Sequence, residues 1–410
     1  MQSFTRFLAF AAAAAAAVPF LAQAAPVTDR ATTSTAFPTI PGKYIITLKP
    51  GVDVATISNH RLKVREIHAR NIARRGVSEA EIGGVEHEYG FGTFSGYSGS
   101  FDEATIAELS ALDEVLAVEP DSIMTTFGLV TQNSSQWGLA AISSKTQGAS
   151  GYVYDESAGE GQFNYVVDTG IRLTHVEFQG RAEWGFNAVN SLNTDNFGHG
   201  THVSGIIGGA TYGVAKKTTL VAVKVFEGST GSTSTVISGF DWAVNDIVDK
   251  GRQSTAVINL SLGGVASTAW DTAITASWAE GVIAAVAAGN NEVLASTVSP
   301  ARSPEVITVG NVQDDDARHV PSSYGPLVDI FAPGTRVVSS YYSSDNATAS
   351  LTGTSMSSPH VAGLVSYLRA LEGPYTAAEV KDRIYALGTP GRVTGARDAV
   401  NLIAYNGNGR

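Results

Sequence analysis

From Gly161 onward the chain alternates short apolar runs with stretches of helical period, and this alternation restricts the fold more than any other feature. Residues 163–167, 220–225, 256–260, 282–287 and 306–309 are apolar almost without interruption. Strands that face solvent on one side alternate in polarity, whereas uninterrupted runs of this length suit strands covered on both faces of a parallel sheet. Segments 201–208, 233–249, 270–280 and 358–371 instead repeat their apolar residues at helical spacing. Parallel strands need crossovers, and helices supply them. The reading is an α/β domain with a doubly wound, mostly parallel sheet. Ligands bind such sheets at the carboxyl ends of strands. Asp168, residues 259–261 and the pair Gly289-Asn290 all fall at such ends.

A smaller α+β unit precedes this domain. Strands at 44–48, 85–91, 95–101 and 115–119 are interleaved with a helix at 52–75 and a second helix capped by Asp102. The order β-α-β-β-α-β is the ferredoxin-like arrangement. The chain opens with Arg6, an apolar core at 8–20 and the small-residue site Ala22-Gln23-Ala24, which reads as a secretory signal. A Pro/Thr/Ser-rich spacer follows, and the polar stretch 125–136 joins the two folded parts as a natural point of proteolytic processing. The boundaries are therefore 1–25 for the signal, 26–129 for a removable segment folded over 43–123, and 130–410 for the main domain. After the signal no apolar run is long enough to cross a membrane, so the mature protein is expected to be soluble, exported and extracellular.

A formal charge of −11 argues against a nucleic-acid footprint, which needs a basic face. The basic run at 61–75 reads as a solvated helix face. There is no cysteine, which excludes thiolate nucleophiles and zinc–thiolate sites. Durability outside the cell must then come from packing or from bound ions.

The run GTSMSSPHVAG at 353–363 places Ser355 ahead of Val361, Leu364, Val365 and Leu368, an apolar helix face. Pro359 is expected in the first turn. Ser355 thus lies at a helix N-terminus, where unpaired N–H groups favour negative charge. It is either a helix cap or a nucleophile whose reaction passes through an oxyanion. His199 lies in FGHGTHV with His202 three residues on; the two are either a metal pair or one exposed base and one structural histidine. Asp168 ends the run YVV as a cap, a ligand or the partner of a base. Asn290 after AAG is a turn residue or an oxyanion donor.

Taken together, these residues run Asp…His…Ser, the chain order of the subtilisin type of triad. DTG at 168–170, GHGTHV at 198–203, SLGG at 261–264, AAGN at 287–290 and GTSMSSPHVAG resemble the motifs of the subtilase family, and most closely its proteinase K subgroup. WGLAAIS at 137–143, YDESAG at 154–159 and YGVAKKT at 212–218 extend the resemblance across 137–406. The unit at 43–123 resembles the inhibitory propeptide of that family.

The resemblance implies a secreted serine endopeptidase that cuts its own propeptide off between about Phe127 and Val130, then works as a monomer on proteins and peptides. Asp168, His199 and Ser355 would be the triad and Asn290 the oxyanion donor. Ser261, Leu262 and Gly263 would pair with an extended substrate and, with Ala287, Ala288 and Gly289, frame the pocket before the cut. No acidic cluster accompanies them, so apolar or aromatic residues are expected there. Gly231 and Thr233 match an outer subsite, with Thr233 smaller than the usual aromatic residue. Pro304, Val306 and Asp329 match a strong calcium site, so a structural Ca²⁺ is implied whose removal lowers thermal stability. A second site is not supported, its positions being Lys145 and Gly391. The usual disulfide positions hold Phe163, Ser254, Ile307 and Lys381. Asn133 and Asn346 begin glycosylation sequons, and Asn259 begins a third that is expected to be buried. Two rivals are an inactive relative acting as a binding protein and a processing enzyme selective for dibasic sites.

Overall fold

The computed structural model describes residues 39–75, 83–122 and 128–410. The expected signal at 1–25, most of the spacer, and Ile123 and Phe127 lie outside the described residues. The chain divides into two compact units, Met1–Met124 and Thr125–Arg410.

In the first unit, strands β1 (Thr39–Leu48), β2 (Gly84–Phe91), β3 (Phe94–Ser100) and β4 (Val115–Ser122) accompany helices α1 (Val54–Arg75) and α2 (Glu103–Ser110). The sheet is antiparallel in the order β2-β3-β1-β4, the ferredoxin-like order expected from the element sequence. Val64 and Ile67 of α1 and Leu109 of α2 pack against Ile46, Leu48 and Tyr97. Asp102 caps α2 by accepting from the Thr105 amide at 2.7 Å. Arg61 and Arg75 of the basic run pair with Glu88 and Asp102 at 3.1 and 3.5 Å, as befits a solvated face.

The second unit opens with strand β5 (Leu129–Gln132), paired antiparallel with β6 (Tyr152–Asp155), and the short helix α3 (Trp137–Ile142) between them. The stretch expected to be wholly a junction is therefore partly a strand of the larger unit. Then come β7 (Phe163–Asp168), β8 (Ala182–Asn187), α4 (His199–Gly208), β9 (Thr219–Lys224), α5 (Thr233–Asp249), β10 (Ala256–Leu260), β11 (Gly264–Val265), α6 (Thr268–Ala279), β12 (Ala284–Ala287), β13 (Val298–Ser299), β14 (Ile307–Val312), β15 (Ile330–Pro333), β16 (Val337–Ser340), β17 (Thr348–Leu351), α7 (Thr354–Glu372), α8 (Ala377–Leu387), β18 (Thr389–Pro390) and β19 (Leu402–Ile403).

The main sheet runs β18-β19-β15-β14-β12-β10-β7-β9-β8 and is parallel except at β18. Successive strand residues go to opposite faces. Val166, Val257, Ala285 and Val309 join Val203, Ile206 and Ile207 of α4 and Val361, Leu364, Val365 and Leu368 of α7. Tyr165, Val167, Ile258 and Val286 join Val236, Phe240 and Ile247 of α5 and Trp270 and Ile274 of α6. Both faces are covered, as the continuous apolar runs require. After β7 the chain builds β8 and β9 on one side, then crosses to begin β10 on the other. The crevice between the carboxyl ends of β7 and β10 is the switch point of the sheet.

Pro359 does not occupy the first turn of α7 as expected; it is the sixth residue of the helix, which starts at Thr354. The first turn is built from Thr and Ser, whose burial is invisible to an apolar periodicity.

Two imidazoles lie wholly inside this unit. His202 Nε2 lies 3.0 Å from the Ala349 carbonyl and 3.2 Å from that of Val337, and His360 Nδ1 donates to the Met356 carbonyl at 2.8 Å. Burial lowers the pKa of each from 6.5 to about 4. The unfolded chain therefore takes up protons at these positions first, and the stability they contribute is complete above pH 6.5 and declines as the pH falls toward 4. The loss by pH 5 is about 2 kcal/mol for each ring. All five tryptophans lie in this unit, so urea unfolding followed by their fluorescence should show a lower midpoint at pH 5 than at pH 7, with the difference reduced in His360→Asn. An unchanged midpoint would contradict the buried neutral rings.

Candidate active site

Asp168 is the last residue of β7 and is fully buried. His199 begins α4, and its Nδ1 lies 2.8 and 2.9 Å from the two Asp168 carboxylate oxygens. The close approach of α4 to β7 depends on Gly200, where a Cβ would sit 2.2 Å from the Gly170 carbonyl oxygen and 3.2 Å from Asp168. Burial opposes a charge on the His199 ring, but attraction to Asp168, the hydrogen bond to it and the more distant Asp195 outweigh that, raising the pKa above the ordinary 6.5.

Asp195 is the residue that sequence reasoning missed. It is buried, and its Oδ1 accepts from the amides of Gly198 (2.8 Å) and Phe197 (3.1 Å) and from the Thr169 hydroxyl (2.9 Å). Its Oδ2 accepts from the Thr201 amide at 3.0 Å and from the Thr201 hydroxyl. A carboxylate at the first turn of α4 satisfies orphan amides and complements the helix dipole. Thr169 in turn accepts from the Gly200 amide at 2.9 Å, tying the strand that holds Asp168 to the helix that holds His199. The legible signal was an acid four residues ahead of a helix start.

Ser355 is the second residue of α7. Its hydroxyl donates to the Ser261 carbonyl at 3.1 Å, and the Ser261 hydroxyl donates to the Ser355 carbonyl at 2.8 Å. That carbonyl is open because Pro359, four residues on, has no N–H. Ser261 also accepts from Asn259 at 2.9 Å and shares a hydrogen bond with Ser358 at the same distance. His199 and Ser355 border one groove of about 350 Å³, with Gly231, Thr233, Ser261, Leu262 and Gly263 along its sides. Gly231 is held to glycine by Phe226, whose ring would lie 2.6 Å from a Cβ there.

The Asn290 side chain is oriented by Thr354. Its Oδ1 accepts from the Thr354 amide at 2.8 Å and the Thr354 hydroxyl at 3.0 Å, and the Gly289 amide donates to that hydroxyl at 3.2 Å. With the carbonyl end fixed, the Nδ2 end is left to donate. Asn290 and Ser355 border a second depression of about 620 Å³ with Leu262, Gly263, Ala287, Gly289 and Val298. Among the described residues no charged side chain lines it, and the only titratable group along the first groove is His199. Ala288 does not join this wall: it is fully buried, packed with Ala295, Val328 and Phe331 behind it.

Asn133 and Asn346 are exposed, whereas Asn259 is fully buried on β10. The calcium expectation needs correction. The oxygens of Pro304 and Val306 do converge, but the Lys381 ammonium donates to both, at 2.7 Å to Val306. A calcium ion takes six to eight oxygens; two carbonyls already bonded to an ammonium, with the Asp329 carboxylate beside them, do not fit it.

A hydroxyl at a helix N-terminus, an imidazole held by a buried carboxylate on the same groove, and an amide anchored by its carbonyl end on the adjoining depression make up the kind of site a serine hydrolase uses. Residues 159–389 match the subtilase family, Peptidase S8, and residues 43–127 match the peptidase inhibitor I9 family. Alkaline protease 1 of Aspergillus clavatus is 49% identical over 369 residues, spanning 90% of this chain and 92% of its own. Subtilisin-like proteinase Mp1 of Magnaporthiopsis poae is 46% identical over 404 residues, 96% of each chain. The crystal structure of a cold adapted subtilisin-like serine proteinase superposes with a TM-score of 0.63 at 36% identity, covering 67% of this chain and 99% of that one. The chain belongs to the subtilase family of serine proteases and carries an I9 inhibitor segment ahead of its peptidase domain.

Thr354→Val keeps the side chain's shape but removes the hydroxyl that steadies Asn290. Turnover of a peptide anilide should fall about 3- to 30-fold with KM unchanged, less than the ~10²–10³ lost when an oxyanion donor itself is deleted. Equal loss in both variants would mean Thr354 does more than orient the amide.

Proposed function

We propose that the protein is a secreted endopeptidase of broad specificity, released from a pre-pro-enzyme by its own cut. The observation that carries the reading is the Asp168–His199 pair at 2.8 Å on the groove that also holds Ser355. Turning Ser355 about its Cα–Cβ bond would move its hydroxyl from the Ser261 carbonyl toward His199, as catalytic contacts often tighten only with substrate present. Ser355 Oγ attacks the peptide carbonyl while His199 takes its proton, and the imidazolium then protonates the leaving amine. Asp168 holds the ring's tautomer and stabilises its charge throughout. The developing oxyanion is received by Asn290 Nδ2 and the Ser355 backbone N–H at the start of α7.

An extended peptide would bind along 261–264, adding backbone hydrogen bonds that make no demand on its sequence. Its residue before the cut would enter the uncharged depression at Ala287 and Gly289, which favours apolar and aromatic side chains over Lys and Arg. Gly231 and Thr233 would meet residues further away. The first unit would assist folding and inhibit the peptidase until the chain is cut near 127–130. A cut on the N-terminal side of Leu129 leaves strand β5 whole. The released enzyme would be monomeric, with glycans at Asn133 and Asn346.

Ser355→Ala should lower turnover by ~10⁶-fold, the magnitude measured for subtilisin, and leave the chain unprocessed on a gel; processing in that variant would contradict self-cleavage. Because His199 acts as a neutral base and its pKa is raised, kcat/KM should fall toward acid with a midpoint above 6.5. A profile flat down to pH 5 would remove His199 from the mechanism. In mapped digests of an unfolded protein, cuts should follow Leu, Phe and Tyr, and a clear arginine preference would refute the pocket assignment.

A further inference from the structure

Two of the three groups expected to hold calcium, the carbonyls of Pro304 and Val306, are bonded to a cation that the chain itself supplies, and the third, Asp329, attracts it through space. Lys381 lies on α8, whose start is fixed by a capping box between Thr376 and Glu379. Val380 and Ile384 bury the inner face of that helix, which sends Lys381 toward the loop ahead of β14. Its ammonium donates to the carbonyls of Pro304 and Val306. The Asp329 carboxylate is held by the Thr308 amide at 2.8 Å, near enough to attract the ammonium. The lysine stem is flanked by two aromatic rings, the ammonium lying 5.7 Å from the Trp278 centroid and 5.9 Å from that of Tyr385. Burial draws the ammonium's pKa below the ordinary lysine value, and Asp329, Glu305 and Asp382 oppose that pull.

We propose that Lys381 is a covalently tethered replacement for a bound divalent cation: its ammonium neutralises Asp329 and gathers the Pro304 and Val306 carbonyls, so that this site needs no metal. The chemistry is consistent. An ammonium has three donors and no acceptor, so carbonyl oxygens and a nearby carboxylate suit it as they suit a hard metal ion. The ammonium offsets the charge of Asp329, the carboxylate that acts on it most strongly, with Glu305 and Asp382 adding to the attraction. The loop 304–306 leads directly into β14 in the middle of the sheet, so fixing it steadies strands next to the substrate depression. This reading does not depend on the proposed catalytic roles.

The test uses the full chain carrying Ser355→Ala, which prevents self-digestion, and terbium as the probe, since Trp278 and Tyr385 beside the site would sensitise its emission. With Lys381 present, Tm should be the same in EDTA and in millimolar calcium, and titrated terbium should give no emission that Asp329→Asn abolishes. Lys381→Ala should lower Tm by about 4–8 °C in EDTA, a shift suited to loss of one partner of a buried charge cluster. It should also gain saturable terbium emission that depends on Asp329, and calcium should restore part of the lost Tm. Asp329-dependent emission with Lys381 in place would overturn the proposal, and so would a Lys381→Ala protein that keeps its Tm or gains no metal response. If that variant does not fold, Lys381→Gln is read the same way, and the terbium and EDTA measurements on the unaltered site still decide.

Discussion

The carbonyl of Ser355 has no amide to receive it within its own helix, because Pro359 stands where the donor would be. That vacancy is what joins α7 to the sheet. The Ser261 hydroxyl fills it at 2.8 Å, while the Ser355 hydroxyl rests on the Ser261 carbonyl in return. One missing hydrogen atom thus registers α7 against the carboxyl end of β10, the strand that borders the switch point of the sheet. Asp168 ends the neighbouring strand β7, and His199 is drawn to it by a glycine that lets α4 come close. The site is therefore a set of backbone positions fixed by packing, on which the reactive side chains are mounted. Asp195 and Thr354 belong to the same scheme. One gathers the amides of Phe197 and Gly198 ahead of α4 and of Thr201 within it, and the other anchors the carbonyl end of the Asn290 side chain.

Much of this was legible in the residues. Strands buried on both faces leave continuous apolar runs, and β7, β9, β10, β12 and β14 all have them. Strand β8, with Glu183, Gly185 and Asn187 on the edge of the sheet, carries no such signal. Strand β15 is only four residues and ends in proline. The start of α7 was misplaced because its buried first turns are Thr, Ser and Met rather than large apolar residues. Motif order pointed to Asp168, His199 and Ser355, and the folded chain brings the first two into contact and the third to the same groove. Ala288 was assigned to the pocket by resemblance, yet alternation along the backbone turns it into the core behind. The cation site shows the limit most clearly. The oxygens of Pro304 and Val306 are where a hard cation belongs, but the partner lies on a helix some 75 residues later, and spacing along a chain carries no record of such a meeting.

The groove itself is almost free of charge in a protein whose formal charge is −11. Carboxylates are kept for the framework: Asp195 against the start of α4, Asp168 behind the imidazole, Asp329 near Lys381. The surface offered to a peptide is made of backbone, small residues and apolar walls. That make-up is the ground for the broad specificity proposed above.

Exported proteins usually hold themselves together with cross-links that the surroundings can undo: a thiol reduces a disulfide, and a chelator or mere dilution strips a metal. This chain has no cysteine, and at the one place where a metal was expected the positive charge is bonded to the polypeptide. The local concentration of that charge is set by the length of a side chain and not by the medium. Neither a reductant nor calcium-poor water can carry it away, and it arrives at its place as soon as α8 docks, with nothing to be captured from outside.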